Sequence, residues 1–336
     1  MAGEERFTEK EAGHTSHILD SLEKKVLDGA GISREEAIQL SRLGDATLYR
    51  LFAAAGNIRD VRAGKCIDLC SIINAKSGGC SEDCKFCAQS SHYHAKVEIY
   101  GLLSIEEVLE RAHQMESLGV KRFSIVISGR GIGKKDLERV LEIYRCLNRE
   151  TNLKLCASLG IIDRQVADKL KAVGVSMYHH NLETAESYFP HICTTHSYVE
   201  RVETIRAAQE AGLEVCSGGI ISMGETMDQR LELAFTLREL GIKSVPVNIL
   251  NPIKGTGLEG REILPPLEIL KTIAIFRFIL PGAMLRFAGG RENALRQLQA
   301  LGYIAGINAS LIGGYLTTPG ADIGQELQMI RDVGLE

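Results

Sequence analysis

A chain of 336 residues, 45% of them hydrophobic, has enough apolar material for one large core or two ordinary ones. Its 43 acidic and 39 basic residues nearly cancel, to a formal charge of −4, which leaves no electrostatic reason to expect nucleic acid or a membrane surface as partner. Nine cysteines, an odd number at spacings unlike a secreted disulfide framework, and an acidic start without an apolar leader predict a cytoplasmic protein whose cysteines largely serve metal.

Residues 1–63 read as a helical extension, in which Ser33 and Glu36 form a capping-box pattern and Ala37, Leu40, Leu43 and Leu48 continue an apolar stripe. After Gly64 the texture changes to short apolar runs separated by amphipathic segments. Strands are predicted near 66–74, 122–128, 153–159, 176–182, 214–222, 244–250, 283–288 and 309–316. Eight strands alternating with helices, without a Pro/Ser-rich linker, predict an α/β protein: one (β/α)8 TIM-type barrel over residues 64–336 behind the N-terminal helical extension.

Alternate side chains of a strand share a face, and the even-numbered face of these runs is unusually polar. It carries Cys66, Asp68, Cys70 and Asn74 on the first strand, and Arg122, Ser124 and Ser128 on the second. Cys156 and Ser158 follow on the third, then Cys216 and Gly218, Asn248, and Arg286 on later strands. A purely structural barrel is filled with Val, Ile and Leu, so this face reads as the lining of a cavity. At the end of the fourth strand His179, Asn181 and Glu183 share a face. Asn and Glu suit ribose hydroxyls and an ammonium group, although polar capping of a strand end would use the same residues.

The run Cys80-Ser-Glu-Asp-Cys84-Lys-Phe86-Cys87 places three thiols in one short loop at C-x3-C-x2-C spacing. Three ligands on a four-iron cubane leave one iron open, whereas most electron-transfer clusters are closed by four. The alternative is zinc held by three cysteines and a histidine, with His92 and His94 nearby, although no fourth ligand follows at finger spacing.

This run, preceded by Asn74-Ala-Lys-Ser-Gly-Gly79, resembles the biotin synthase family of the radical S-adenosylmethionine superfamily. So do His180-Asn-Leu-Glu-Thr184, Cys216-Ser-Gly-Gly-Ile220, Gly224-Glu-Thr226, Val245-Pro-Val-Asn-Ile-Leu250 with Lys254-Gly-Thr256, Arg286-Phe-Ala-Gly-Gly-Arg291 and Leu316-Thr-Thr-Pro319. The resemblance implies a homodimeric barrel that inserts sulfur between C6 and C9 of dethiobiotin, fed by a flavodoxin- or ferredoxin-like electron donor. Cys80, Cys84 and Cys87 would hold the [4Fe-4S] cluster that cleaves S-adenosyl-L-methionine. Phe86 would lie by the adenine, Asn181 and Glu183 on the ribose or amino acid part. Asn181 and Asn248 would contact dethiobiotin.

An auxiliary iron–sulfur cluster would supply the sulfur, with Cys156, Cys216 and Arg286 at three of the family's four positions. The fourth position is Ser124 here, while Cys66 and Cys70 are additional cysteines on the first strand. Four thiolates at Cys66, Cys70, Cys156 and Cys216 favour a four-iron cluster over [2Fe-2S]. Residues four apart on a strand are ~13 Å apart, so Cys70 is the stronger ligand of that pair. Buried, inert cysteines are the alternative for this set. His179 stands where the family pattern has asparagine, and Cys146 and Cys193 match no family ligand. The rival readings are an [FeFe]-hydrogenase maturase-like radical enzyme and a non-catalytic zinc-binding barrel.

Overall fold

The computed structural model describes residues 9–318 and 320–336; the first eight residues of the extension and Pro319 of the last motif lie outside them. The extension forms helices Glu9–Leu27, Arg34–Ser41 and Asp45–Arg62. Ser33 starts the second with the expected capping box, its hydroxyl accepting from the Glu36 N–H while the Glu36 carboxylate accepts from its own N–H. Leu40, Leu51, Phe52 and Ile58 are buried in the same hydrophobic core as Ile273 and Phe276 of the helix Pro266–Ile279. The Lys271 ammonium also donates to the Leu43 carbonyl at 2.8 Å. The extension is thus packed as part of the barrel's outer layer.

The strands are β1 (Asp68–Lys76), β2 (Arg122–Ile127), β3 (Lys154–Ser158), β4 (Val175–His179), β5 (Glu214–Cys216), β6 (Gly219–Ile221), β7 (Ser244–Ile249), β8 (Met284–Phe287) and β9 (Ala309–Leu311). All pair in parallel, in the order β5-β4-β3-β2-β1-β9-β8-β7-β6, and a β5–β7 pairing closes the sheet. Counting β5 and β6 as two halves of one strand, this is the expected eight-stranded barrel. Ser104, Ser197 and Thr226 begin the helices Ile105–Ser117, Tyr198–Glu210 and Met227–Glu239, each with a full capping box.

The predicted strand 214–222 breaks in the middle for a steric reason. A Cβ at Gly218 would lie 2.0 Å from the Pro246 carbonyl oxygen, and one at Gly219 would lie 2.4 Å from that of Glu183. Both backbones approach a neighbour that a side chain would exclude. Glu183 completes the stitch from the left-handed region, at φ 69°. Its N–H donates to the Gly218 carbonyl and its own carbonyl accepts from the Ile220 N–H at 2.7 Å. A non-glycine residue held there is strained, and this one carries a candidate ligand side chain.

β1 starts two residues later than the alternation predicted. Cys66 precedes the strand and is exposed.

Candidate functional site

A cavity of about 310 Å³ opens among the carboxyl ends of the strands, the end at which barrels carry their chemistry. It is lined by Cys80, Cys84, Phe86 and Cys87 from the loop after β1, and by Asn181 and Glu183 after β4. Cys70, Cys216, Asn248 and Arg286 line it as well. A smaller cavity of about 130 Å³ beside it shares Phe86 and Asn248. All the proposed ligand and binding residues therefore line one space, except Cys156 and Cys66, whereas Asp68, Asn74, Arg122, Ser124, Ser128 and Gly218 of the polar strand face do not line it. Cys156 is fully buried and packs with Cys216 and Met177 directly behind the lining. Cys66 is not brought into the group.

The three loop thiols are fixed by backbone turns and two carboxylates. The Cys80 N–H donates to the Gln89 carbonyl at 2.9 Å, the Cys87 N–H to that of Cys84 at 3.0 Å, and the Lys85 N–H to that of Ile192 at 2.9 Å. Asp83 accepts from the N–H of Thr194 at 2.8 Å. Glu82 lies 2.5 Å from Nδ1 of His196 and accepts from the Thr195 hydroxyl at 2.9 Å. These contacts tie the loop to residues 193–196 across the cavity mouth. Cys193, which matched no family ligand, sits with its sulfur 3.7 Å from that of Cys84.

The cavity-lining polar groups that follow β4 are held from the helix Tyr198–Glu210. Arg201 donates to the Asn181 carbonyl at 2.8 Å and lies 3.7 Å from the Glu183 carboxylate. Burial raises the pKa of Glu183, with Arg201 and Asn181 opposing. The Asn181 side chain accepts from the Gly218 N–H at 3.2 Å, and that of Asn248 accepts from the Gly289 N–H at 3.0 Å. Glu82, His196 and Arg201 were absent from the sequence-level site. No local pattern marked them, since their neighbours Ser81, Thr195, Ser197 and Val199 are exposed.

Deeper in the barrel, Cys70, Cys156, Cys216 and Arg286 come from β1, β3, β5 and β8, which are strands one, three, five and seven of eight. Four side chains from alternate strands make one interior layer of such a barrel. Ser124, by contrast, is the direct register partner of Cys156 on the adjacent strand β2. Burial pushes the Cys70 thiol up to about 11, although Arg286 opposes it, and burial also raises Cys156 and Cys216. In the loop, burial lifts the Cys87 thiol to about 11.

Beneath the thiols, Arg286 contacts Asp68 at 2.5 Å and Arg122 contacts it at 3.1 Å, while Arg122 lies 3.7 Å from Glu214. Burial disfavours the Asp68 anion, yet Arg286 and Arg122 hold its carboxyl below the usual range. This ion network draws on β1, β2, β5 and β8 and spans the base of the barrel.

Two features show that the residues fit iron–sulfur groups. The thiols are several, convergent and shielded, and a metal would displace their protons. Nε of Arg286 and Nε2 of His179 are also buried without a hydrogen-bond partner beside the cavity, an arrangement that a bound anionic group would satisfy.

Residues 75–250 match the Radical SAM superfamily, and residues 246–336 match BATS, the Biotin and Thiamin Synthesis associated domain. Biotin synthase of Pelotomaculum thermopropionicum is 56% identical over 318 residues, 95% of this chain and 99% of that one. The chain belongs to the biotin synthase family. The biotin synthase of Heliobacterium modesticaldum is 57% identical, over 95% of this chain and 98% of its own. Among solved structures, methylornithine synthase (PylB) superposes with a TM-score of 0.82 at 21% identity, covering 94% and 96% of the two chains. HydG, a maturase of the [FeFe]-hydrogenase, gives 0.81 at 17% identity over 95% of this chain and 76% of its own. At such low identity these two establish the barrel alone. A radical S-adenosylmethionine biotin synthase needs a [4Fe-4S] cluster and S-adenosyl-L-methionine, and the expected enzyme class stands over the non-catalytic zinc barrel.

Proposed function

We propose that this chain converts dethiobiotin to biotin by inserting one sulfur between C6 and C9, with Cys80, Cys84 and Cys87 as ligands of the four-iron cluster. The observation that carries this reading is the convergence of two thiol groups on one cavity, one from the loop after β1 and one from the barrel interior. When bound, the first cluster supplies the electron that cleaves S-adenosylmethionine to a carbon radical, and the auxiliary cluster supplies the sulfur. The chain's own residues bind, orient and exclude. Glu183 and Asn181 offer a carboxylate and an amide to the amino acid and ribose part, and Phe86 offers a ring face to the adenine. Asn181 and Asn248 offer polar contacts to the ureido end of dethiobiotin. The apolar wall of Ile72, Val126, Ala288 and Leu311 shields the reacting carbons from water.

The auxiliary ligands in this reading are Cys70, Cys156 and Cys216, with Arg286 beside them and Cys66 left out. Two thiolates on one tetrahedral iron need sulfurs ~3.8 Å apart at metal–sulfur bonds of ~2.3 Å, a spacing suited to register partners on adjacent strands ~4.8 Å apart. Positions 124 and 156 are such partners. Cys70 and Cys156 stand two strands apart, ~9.6 Å between backbones. Nor do the three sulfurs all lie within 4.8 Å of one another. That spread supports separate corners of a four-iron cluster over a two-iron one.

No helix among the described residues is long and apolar enough to cross a membrane, which accords with a cytoplasmic enzyme. The electron donor is of the flavodoxin or ferredoxin kind, the assembly a homodimer, and residues 1–63 an extension of the 64–336 barrel. Anaerobic incubation of the cluster-reconstituted protein with S-adenosylmethionine, dethiobiotin and a strong reductant tests the reading by product mass. The expected product is heavier than dethiobiotin by one sulfur less two hydrogens. Deoxyadenosine without that product would overturn the substrate assignment.

A further inference from the structure

The sulfurs of Cys84 and Cys193 lie 3.7 Å apart. The His196 ring lies 3.3 Å from the Cys193 sulfur at Nδ1 and 3.8 Å at Nε2. All three residues are buried and one donor atom from each lies within 4.8 Å of the others; among the described residues no other trio of His, Cys, Asp or Glu side chains meets that separation. Two sulfurs on one tetrahedral zinc are ~3.8 Å apart, and a sulfur and an imidazole nitrogen ~3.5 Å apart, from bonds of ~2.3 and ~2.0 Å. The observed separations match those edges.

The histidine is also oriented as a ligand. Buried Glu82 holds Nδ1 at 2.5 Å and is itself held by the Thr195 hydroxyl at 2.9 Å and by Arg130 at 3.4 Å. A carboxylate on one imidazole nitrogen fixes the tautomer and presents the other to a metal. Cys80 and Cys87 stay outside this trio, as corners of a larger cluster must.

We propose that the cluster-free chain binds one soft divalent cation of the zinc class at Cys84, Cys193 and His196, with water completing the tetrahedron. We further infer that this ion and the four-iron cluster exclude one another because both need the Cys84 sulfur. The exclusion, but not the site, rests on the reading of Cys84 as a cluster ligand. Binding releases thiol protons and needs no redox step. It pins the loop to residues 193–196 before the cluster is built.

Titration of anaerobic, cluster-free full-length protein with Co2+ is the test. One tight equivalent is expected, with the strong visible bands of tetrahedral cobalt and near-ultraviolet thiolate charge transfer. Cys193→Ser should lose about half of that charge-transfer intensity and bind at least ~100-fold more weakly, because even loss of an outer partner costs 10–100-fold. His196→Gln, a second variant should the first fail to fold, should weaken binding similarly. The double variant Cys80→Ala/Cys87→Ala should bind as the unaltered chain does. Equal binding by Cys193→Ser, or loss of the site in the double variant, would overturn the proposal. Zinc-loaded protein should take up iron and sulfide into the loop cluster several-fold more slowly. Uptake at an unchanged rate would sink the exclusion while leaving the metal site standing on the cobalt result.

Discussion

The thiols of the loop and the thiols of the barrel are placed by different physics. Cys80, Cys84 and Cys87 are neighbours in sequence, and their positions are set by turns and by the grip of Glu82 and Asp83 on residues 193–196. Cys70, Cys156 and Cys216 are remote in sequence and are brought together by strand register alone. A loop can adjust to what it binds, whereas a strand cannot shift by one residue without turning its whole face over. The loop thus sets which thiols stand free for a ligand, while the barrel sets how far apart its own thiols stand.

Removing one thiol from each region should separate the two halves of the reaction, and this is the largest effect expected. Cys84→Ala should abolish release of deoxyadenosine, measured by chromatography. Cys70→Ala should leave part of that cleavage, uncoupled, and abolish biotin. Cleavage at the unaltered rate in the first variant, or a normal biotin yield in the second, would collapse the distinction between the regions.

A sharper test moves a thiol by one strand. In Cys70→Ser/Ser124→Cys the auxiliary sulfurs include register partners, so Mössbauer spectra should change from a four-iron to a two-iron auxiliary signature. Cys66→Ser, as a control, should leave iron content unchanged. A four-iron auxiliary signal surviving the swap would mean that strand spacing does not set cluster size.

A smaller effect concerns His179, which burial, reinforced by Arg286 and Arg122, depresses to about 3. An unfolded histidine titrates near ~6.5. Between those values the unfolded chain binds a proton that the folded chain refuses, so stability is full above ~6.5 and falls as pH drops towards 3. The loss is at most ~1.4 kcal/mol per pH unit, lessened by whatever water the cavity admits. Urea unfolding of cluster-free protein at pH 7 and 5 should show a shallower drop for His179→Asn. An identical drop would place the acid sensitivity elsewhere, with the buried and similarly depressed His180 as the first place to look.

The barrel was legible because its signals are local. Alternation marked the strands, and Ser33, Ser104, Ser197 and Thr226 opened helices with the capping chemistry their sequences announce. The loop motif was legible because its spacing is itself the geometry. Cys66 shows where periodicity overreaches, since a period of two says nothing about where a strand begins and β1 starts at Asp68. The break between β5 and β6 was hidden for a related reason: the Gly218–Gly219 pair shows permission for close approach, but Pro246 and Glu183 supply the approach. Cys193 and His196 carried no pattern because their partners, Cys84 and Glu82, lie more than a hundred residues away in sequence.

The ion network across the barrel base has a kinetic meaning. With Asp68 clasped by Arg122 and Arg286, and Glu214 drawn to the Arg122 guanidinium, charged side chains of four strands close over the base, on the side of the barrel thiols away from the loop. On the proposed function, dethiobiotin seated by the barrel thiols and a nucleoside seated by the loop thiols would both pass the loop, the deeper one first.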